Sequence, residues 1–223
     1  MAARPKVVIS VPVRDPSQLV GLSALEDRRA DLVELRLDYL RSPSQLNDSI
    51  LQDLLAHRDR VLVTVRDPRE GGKLWVDDEV KSSFLKAADD MGFSYDVELS
   101  FLKRREDVPP GRVVSKHCLG ELPSIADLRE EFGPFNESIR KLAVTPVGSY
   151  RSLLLSFLEE FPGSAVMSLG GDWRERIALS LLGSSLLYVH AGEPTAPGQV
   201  SADKVWALLP QFDSGRPSFF LRP

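Results

Sequence analysis

Two side chains suited to carbonyl and proton-transfer chemistry, Lys141 and His117, occur within apolar segments of the sequence. Lys141 opens the segment KLAVTP, and His117 lies late in the segment RVVSKHC. Burial disfavours the charged form of a lysine and frees its amine to attack a carbonyl carbon, as a Schiff-base enzyme requires. The alternative for Lys141 is a structural ion pair with Glu98 or Glu34, and the alternative for His117 is a hydrogen-bonded structural role. These residues alone leave both interpretations open.

Three arginines, Arg36, Arg66 and Arg176, lie on or just after strand-like segments. A guanidinium group offers several donors in a fixed plane, so the set indicates an anionic or polyhydroxylated ligand. Solvated surface arginine is the alternative, and it fits Arg176 better than Arg36. The pair Gly170–Gly171 could form an anion-binding turn before a helix, which is a weak signal by itself.

The sequence has no spacing typical of a metal site, because it lacks an HExxH motif, a paired Cys–His motif and a tight histidine cluster. We therefore predict no metal. The single cysteine, Cys118, directly follows His117 and so points to the opposite side of a strand. A Cys–His nucleophile pair is not expected, and one cysteine cannot form an internal disulfide.

Short apolar segments alternate with amphipathic ones along the chain, a pattern that predicts βα units and a parallel sheet. Eight strands in 223 residues fit a single (β/α)8 TIM barrel, with a doubly wound open sheet as the alternative. The predicted strands are 7–13, 31–38, 60–66, 95–100, 112–118, 141–146, 164–169 and 185–191. The predicted helices are 16–30, 43–57, 77–92, a weakly patterned one within 101–107, 123–132, 148–161, 173–183 and 201–209.

Polar side chains occupy one side of five predicted strands, opposite an apolar side. An open strand with one wet face would explain any single case, but strands covered by helices have no wet face. The polar side must then point into a barrel, toward the strand ends where such folds place active sites. The inward residues are Glu34, Arg36 and Asp38; Thr64 and Arg66; Asp96, Glu98 and Ser100; Ser115 and His117; and Lys141, Ala143 and Thr145.

The composition is that of an ordinary globular protein, with 43% hydrophobic residues, 27% charged residues and a formal net charge of -4. We predict a single catalytic domain over residues 1–223. The acidic balance argues against nucleic acid and anionic membranes as partners. Neither a secretory signal nor an apolar run of membrane-spanning length is evident, so we expect a cytoplasmic protein.

Five motifs occur together in the order and rough spacing of one enzyme family. They are ELRLD (34–38), TVRDPREGG (64–72), SKH (115–117), KLAVTP (141–146) and APGQ (196–199). The chain resembles the type I 3-dehydroquinate dehydratases over nearly its whole length. The resemblance implies a (β/α)8 barrel without metal or organic cofactor that dehydrates 3-dehydroquinate to 3-dehydroshikimate in the shikimate pathway of aromatic amino-acid biosynthesis. Members are often dimeric, so it also implies a homodimer.

The resemblance assigns roles to particular residues. Lys141 would form the Schiff base with the C3 ketone, His117 would act as general base at C2, and Glu70 would orient the histidine. Matching positions imply that the remaining site residues bind substrate: Ser10, Glu34, Arg36, Arg66, Arg176, Thr195 and Gln199.

Two positions depart from the family pattern. Thr195 stands where many members have serine, which keeps the hydroxyl. The interval from Met167 to Arg176 is one residue longer than expected, which leaves Arg174 as a substitute for Arg176. The segment 192–199 has the hinge-like composition of a lid.

Two other functions remain as alternatives. A class I aldolase barrel also uses a strand lysine, but it would leave the TVRxxxEGG motif and His117 without an obvious role. A barrel that only binds a small anion would explain the arginines. It would not explain a lysine, a histidine and a carboxylate at one rim.

Overall fold

Parallel strands form one curved sheet, with helices on its outer side. The computed structural model describes residues 4–209, so residues 1–3 and 210–223 of the predicted domain lie outside it. The order of hydrogen-bonded strands is β7-β6-β5-β4-β3-β2-β1-β8-β9. The strands are β1 (Lys6–Pro12), β2 (Leu32–Arg36), β3 (Val61–Thr64), β4 (Ser94–Glu98), β5 (Val113–Cys118), β6 (Ile139–Val144), β7 (Ala165–Ser168), β8 (Leu186–His190) and β9 (Val200–Ser201).

The predicted (β/α)8 TIM barrel is confirmed by this arrangement of strands and helices. The helices are α1 (Ser23–Glu26), α2 (Asp48–Leu54), α3 (Asp78–Asp90), α4 (Leu99–Leu102), α5 (Ile125–Phe132), α6 (Tyr150–Glu160), α7 (Trp173–Leu181) and α8 (Ala202–Leu208). None of these described helices is long and apolar enough to cross a membrane.

The seam between β7 and β8 is joined by a few individual hydrogen bonds. The Ser185 N–H donates to the Ser164 carbonyl at 2.8 Å. The Ser184 hydroxyl accepts from the Val166 N–H at 3.0 Å, and it lies 3.2 Å from the Leu186 carbonyl oxygen. The Ser184 side chain therefore replaces part of the backbone hydrogen bonding between these two strands.

The two sides of the strands are buried in two different apolar clusters, as the alternation predicts. The outer cluster joins strand residues such as Val63 and Leu142 to helix residues such as Phe84 and Phe157. It also contains Cys118, which confirms that this residue points away from the His117 side. The inner cluster comes mainly from the N-terminal halves of the strands and includes Val8, Leu32, Leu62, Val113, Ala165 and Leu186.

Two predicted helices are wrong in extent. The segment 16–30 contains only a 3-10 turn, Pro16–Leu19, and the four-residue α1, because Gly21 takes a φ of 68° between them. The segment 43–57 is likewise divided, since Asn47 accepts from the Ser49 N–H and starts α2 only after a separate 3-10 turn.

Two further elements differ from prediction. Helix α4 begins at Leu99, directly after β4, rather than within 101–107. The two-residue strand β9 was not predicted; its Val200 pairs with Val189 of β8, which returns the chain to the barrel after the loop 191–199.

Candidate active site

One cavity of about 310 Å³ opens at the C-terminal ends of the strands. All ten predicted site residues line it, although they come from widely separated parts of the sequence. They are Ser10, Glu34, Arg36, Arg66, Glu70, His117, Lys141, Arg176, Thr195 and Gln199. Strands supply five of these residues, and the segments that follow strands and helix α7 supply the other five.

Lys141 lies inside the barrel with 3% of its surface exposed. Its Nζ donates to Asp96 Oδ2 at 2.8 Å and lies 4.1 Å from the ring centroid of Tyr188. The suggested ion pair with Glu98 or Glu34 is wrong, because these carboxylates have other partners. Burial alone would raise the pKa of Asp96, but the charges of Arg66 and Lys141 hold it well below its usual range.

Five buried side chains of alternating charge connect helix α3 to the Lys141 amine. Lys81 Nζ lies 2.6 Å from Glu98 Oε2, and Glu98 Oε1 lies 3.0 Å from Arg66 Nη1. Arg66 Nη2 in turn lies 2.8 Å from Asp96 Oδ1, and Asp96 contacts Lys141. We call Lys81, Glu98, Arg66, Asp96 and Lys141 the buried charge chain. It satisfies charges that would otherwise be costly inside the barrel.

His117 is held by Glu70 at the mouth of the barrel. Its Nδ1 lies 3.1 Å from Glu70 Oε2, and its backbone N–H donates to the same oxygen at 2.9 Å. The Ser100 hydroxyl donates to Glu70 Oε1 at 2.6 Å. Because a carboxylate accepts, Nδ1 carries the proton and Nε2 keeps a free lone pair.

The surroundings keep His117 uncharged. Burial, followed by the positive charges of Arg66 and Lys141, places the pKa of His117 well below 6.5. The imidazole is therefore neutral at pH 7 and able to accept a proton.

Glycines of the segment TVRDPREGG position Glu70. The chain turns sharply after β3, and Gly71 adopts a φ of 90° directly after Glu70. A Cβ on Gly72 would lie 1.9 Å from the Arg66 carbonyl oxygen, so the loop can pack back on itself only with glycine there. This close packing aims Glu70 at His117.

Arg36 is fixed by a two-point contact with Asp38. Its Nε and Nη2 donate to the two Asp38 oxygens at 2.7 and 2.8 Å, and its Nη1 donates to the Thr195 carbonyl at 3.2 Å. The Tyr39 hydroxyl donates to the same carbonyl at 3.3 Å. The end of strand β2 and the turn that follows it thereby hold both a guanidinium group and part of the loop 191–199.

Hydroxyl groups surround Glu34, which lies two residues before Arg36 on strand β2. Glu34 accepts hydrogen bonds from Ser10 and, at 3.0 Å, from Thr64. The Thr195 hydroxyl donates to the Ser10 hydroxyl at 2.8 Å. The threonine thus keeps a hydroxyl at the cavity wall.

Arg176, and not Arg174, lines the cavity. Arg176 is 3% exposed, and its Nη2 donates to the Pro197 carbonyl at 2.7 Å. It has no ion pair with a carboxylate within residues 4–209, and burial lowers its pKa to about 10. Arg174 is exposed and pairs with Asp172 at 3.0 Å. The longer interval after Met167 therefore still brings Arg176 to the site.

The APGQ segment packs against the Gly170–Gly171 pair. Gly170 donates its N–H to the Pro197 carbonyl at 3.1 Å, so this N–H binds the chain itself rather than an anion. Gly198 adopts a φ of 74°, and a Cβ there would lie 2.5 Å from the Gly171 carbonyl oxygen. Gln199 Nε2 donates to the Val189 carbonyl at 3.0 Å and completes the attachment.

Two contributors were not singled out from the sequence. Tyr188 of β8 faces inward between the outward Leu187 and Val189, so the strand alternation could have identified it. Lys81 lies on the buried side of α3 with Phe84 and Ala88, a helical spacing that also carries a signal. Sequence alternation gives no information about the pairing of either residue.

The family model described as type I 3-dehydroquinase matches residues 7–214. The chain belongs to this family. It is accordingly an enzyme of the hydro-lyase class, as the motifs predicted.

Relatives named 3-dehydroquinate dehydratase match along nearly the whole chain. One from Metallosphaera sedula is 43% identical over 198 residues, which cover 88% of this chain and 93% of the relative. One from Sulfolobus acidocaldarius is 37% identical over 211 residues, or 94% of each. The solved structure of 3-dehydroquinate dehydratase from Geobacillus kaustophilus gives a TM-score of 0.76 at 24% identity, covering 93% of this chain and 91% of that one. That structural similarity supports the barrel fold.

Proposed function

We propose that this enzyme dehydrates 3-dehydroquinate to 3-dehydroshikimate through a Schiff base on Lys141, as a step of the shikimate pathway of aromatic amino-acid biosynthesis. One observation carries the proposal. A buried amine, a neutral imidazole oriented by a carboxylate, and an arginine without a carboxylate partner in residues 4–209 line the same cavity. Each protein group matches one group of the substrate. The amine can react with the ketone, the imidazole can remove a proton from the adjacent carbon, and the arginine can bind the carboxylate.

Substrate orientation rests on the polar wall of the cavity. Arg176 binds the carboxylate, because its buried guanidinium group lacks an anionic partner in the described structure. The ring hydroxyls contact the groups around Glu34, Arg36 and Arg66. Ser10, Thr195 and Gln199 complete this wall. Holding the ring in one orientation brings C3 to Lys141 and C2 to His117, which is the proximity contribution to catalysis.

Imine formation begins when Lys141 gives up a proton to His117, and the resulting neutral amine attacks the C3 carbonyl carbon. The resulting carbinolamine loses water and becomes a protonated imine. His117 is uncharged and can take a proton from the amine and return it to the departing oxygen. Asp96 faces the nitrogen and balances the positive charge that develops there.

Elimination then uses the imine as an electron sink. His117 removes a proton from C2, and the C–H electron pair moves into the imine to give a neutral enamine. The C1 hydroxyl leaves as water with the proton from His117, and the enamine electrons form the C1–C2 double bond. Hydrolysis releases 3-dehydroshikimate and regenerates the Lys141 amine. Glu70 keeps the imidazole aligned throughout.

Borohydride trapping tests the proposal. The protein is mixed with 3-dehydroquinate, reduced, digested and analysed by mass spectrometry. We expect a ligand-sized mass on the peptide that carries Lys141. Lys141→Ala abolishes the adduct, whereas His117→Ala keeps some adduct but lowers kcat by about 10²–10⁴-fold.

Lys116→Ala is the matched control, since this lysine lies on the neighbouring strand β5 and pairs with Glu131 outside the cavity. It should keep both adduct and turnover. A wild-type protein without adduct on Lys141 and without enone absorbance from product would contradict the proposal. Normal turnover in Lys141→Ala would do the same.

The proposal extends to the organisation of the protein. It takes residues 1–223 as one catalytic domain that works in the cytoplasm without metal or organic cofactor. It also includes a homodimer, which light scattering on the purified protein tests directly.

A further inference from the structure

The side chain of Tyr188 packs its ring against the Lys141 amine. Tyr188 projects inward from β8 with 5% of its surface exposed, and its ring lines the cavity. Lys141 Nζ lies 4.1 Å from the ring centroid and 2.8 Å from Asp96 Oδ2. The nitrogen is therefore contacted by a carboxylate from β4 and an aromatic ring from β8.

An aromatic ring attracts a cation placed over its face, because the π electrons make that face negative. The attraction is stronger for a desolvated cation, and only 3% of the surface of Lys141 is exposed. Condensation with a ketone leaves the nitrogen at the end of the same lysine side chain. Its positive charge as a protonated imine therefore develops beside the same two groups.

We propose that the ring of Tyr188 is a catalytic group that stabilises the protonated Schiff base on Lys141. This inference rests on the proposed function. The charge appears when the carbinolamine loses water and disappears when the C2 proton leaves and its electron pair enters the imine. It reappears when the C1 hydroxyl departs. The ring thus favours the two iminium forms over the neutral enamine between them.

The hydroxyl of Tyr188 does not share the function that we propose for the ring. It is buried and has no hydrogen-bond partner among residues 4–209. Burial, assisted by the nearby charges of Glu34 and Asp96, raises the pKa of Tyr188 well above 10, so the phenol stays neutral. A neutral phenol preserves the negative ring face without adding a full charge. We therefore assign the function to the ring and expect the hydroxyl to be dispensable.

Space filling is the competing explanation for Tyr188. Its ring belongs to the inner apolar cluster with Val8, Leu62 and Met167. Truncation would leave a void as well as remove the ring, so loss of activity in Tyr188→Ala would not distinguish the two. The test must change the charge of the ring face while it keeps the ring's size.

Stepwise fluorination of the ring makes that change. Phenylalanine and its mono-, di- and trifluoro derivatives are incorporated at position 188 in the His117→Ala background, which we expect to keep some imine and to stall before elimination. The readout is the 3-dehydroquinate concentration that gives half-maximal borohydride adduct after a rapid quench. We expect this concentration to rise with each fluorine, by roughly tenfold over the series. A constant value in variants with unchanged melting temperature would overturn the inference.

A second comparison uses ordinary substitutions with wild-type His117. Tyr188→Phe should form the adduct as wild type does, whereas Tyr188→Met, which fills space without a ring face, should form less. Equal adduct in the two variants overturns the role of the ring. Failure of the unsubstituted protein to form any adduct would instead contradict the proposed function itself.

Discussion

At the scale of single residues, three of the buried lysines and arginines that line the cavity have an anionic partner in residues 4–209, and one does not. Arg36, Arg66 and Lys141 each contact a carboxylate. Arg176 hydrogen-bonds to a backbone carbonyl and pairs with no carboxylate in the described part of the chain. The two classes should respond differently to mutation, because removing a paired cation leaves a buried anion, whereas removing Arg176 leaves only a carbonyl.

Replacement of Arg176 should therefore affect binding far more than folding. We expect Arg176→Ala to raise KM for 3-dehydroquinate roughly 100-fold, since a hydrogen-bonded charge contact is worth about 1.5–3 kcal/mol. The neighbouring Arg174→Ala removes an exposed arginine and should leave KM within about twofold. Steady-state kinetics on both variants checks the assignment, and a larger effect from Arg174→Ala would reverse it.

The lowered pKa of His117 gives a pH prediction with a defined sign. The base must be uncharged, and the folded protein keeps it so to well below pH 6.5. The acid limb of kcat/KM, which reports groups of the free enzyme, should thus lie below pH 6.5. An unfolded chain takes up this proton near pH 6.5 while the folded one does not, so stability should fall as pH drops below that value. Between pH 7 and pH 5, the free energy of unfolding measured with urea should fall less in His117→Ala than in the wild-type protein.

At the scale of elements, the Ser184 hydroxyl supplies part of the hydrogen bonding between β7 and β8. Ser184→Ala removes the acceptor for the Val166 N–H and should lower the free energy of unfolding by about 1–3 kcal/mol. Ser164→Ala is the matched control, because the Ser164 hydroxyl is buried without a partner in residues 4–209. Its loss should be neutral or stabilising. Urea denaturation of both variants tests this, and equal losses would argue against the seam role.

The strands were predictable because the alternation of outward apolar and inward polar residues is visible in the sequence. Leu142 and Val144 face the helices and Lys141 faces the cavity, as their parity required. The segment 16–30 looked helical by composition, but one residue with positive φ, Gly21, interrupted it. Strand β9 is two residues long, which is too short to show an alternation of apolar and polar residues in the sequence.

At the scale of the whole molecule, the buried charge chain connects the outer helical layer to the centre of the barrel. The motifs predicted which residues reach the cavity, but they could not predict this pairing. Lys141 pairs with Asp96, whereas Glu98 is bound by Arg66 and Lys81. Such pairing depends on three-dimensional distances that sequence spacing does not contain.

Lys81 offers a test of this connection. Lys81→Met leaves Glu98 buried with one cation fewer, so we expect a loss of about 3 kcal/mol in the free energy of unfolding. Lys86→Met, in the same helix, removes an exposed lysine that pairs with Asp107, and should lose less than about 1 kcal/mol. Chemical denaturation compares the two variants. Similar losses would mean that the buried pair of Lys81 and Glu98 stabilises the fold no more than the exposed pair does.

The buried charge chain also bears on how the enzyme responds to heat. Ions bind water with a strongly negative entropy, so their hydration becomes less favourable as temperature rises. Withdrawing five ionic groups from water is therefore penalised less in a hot solution than in a cold one. Hydrophobic packing does not improve in the same way at high temperature. The polar interior that prepares Lys141 for reaction is thus also the part of the barrel whose relative stability improves on warming.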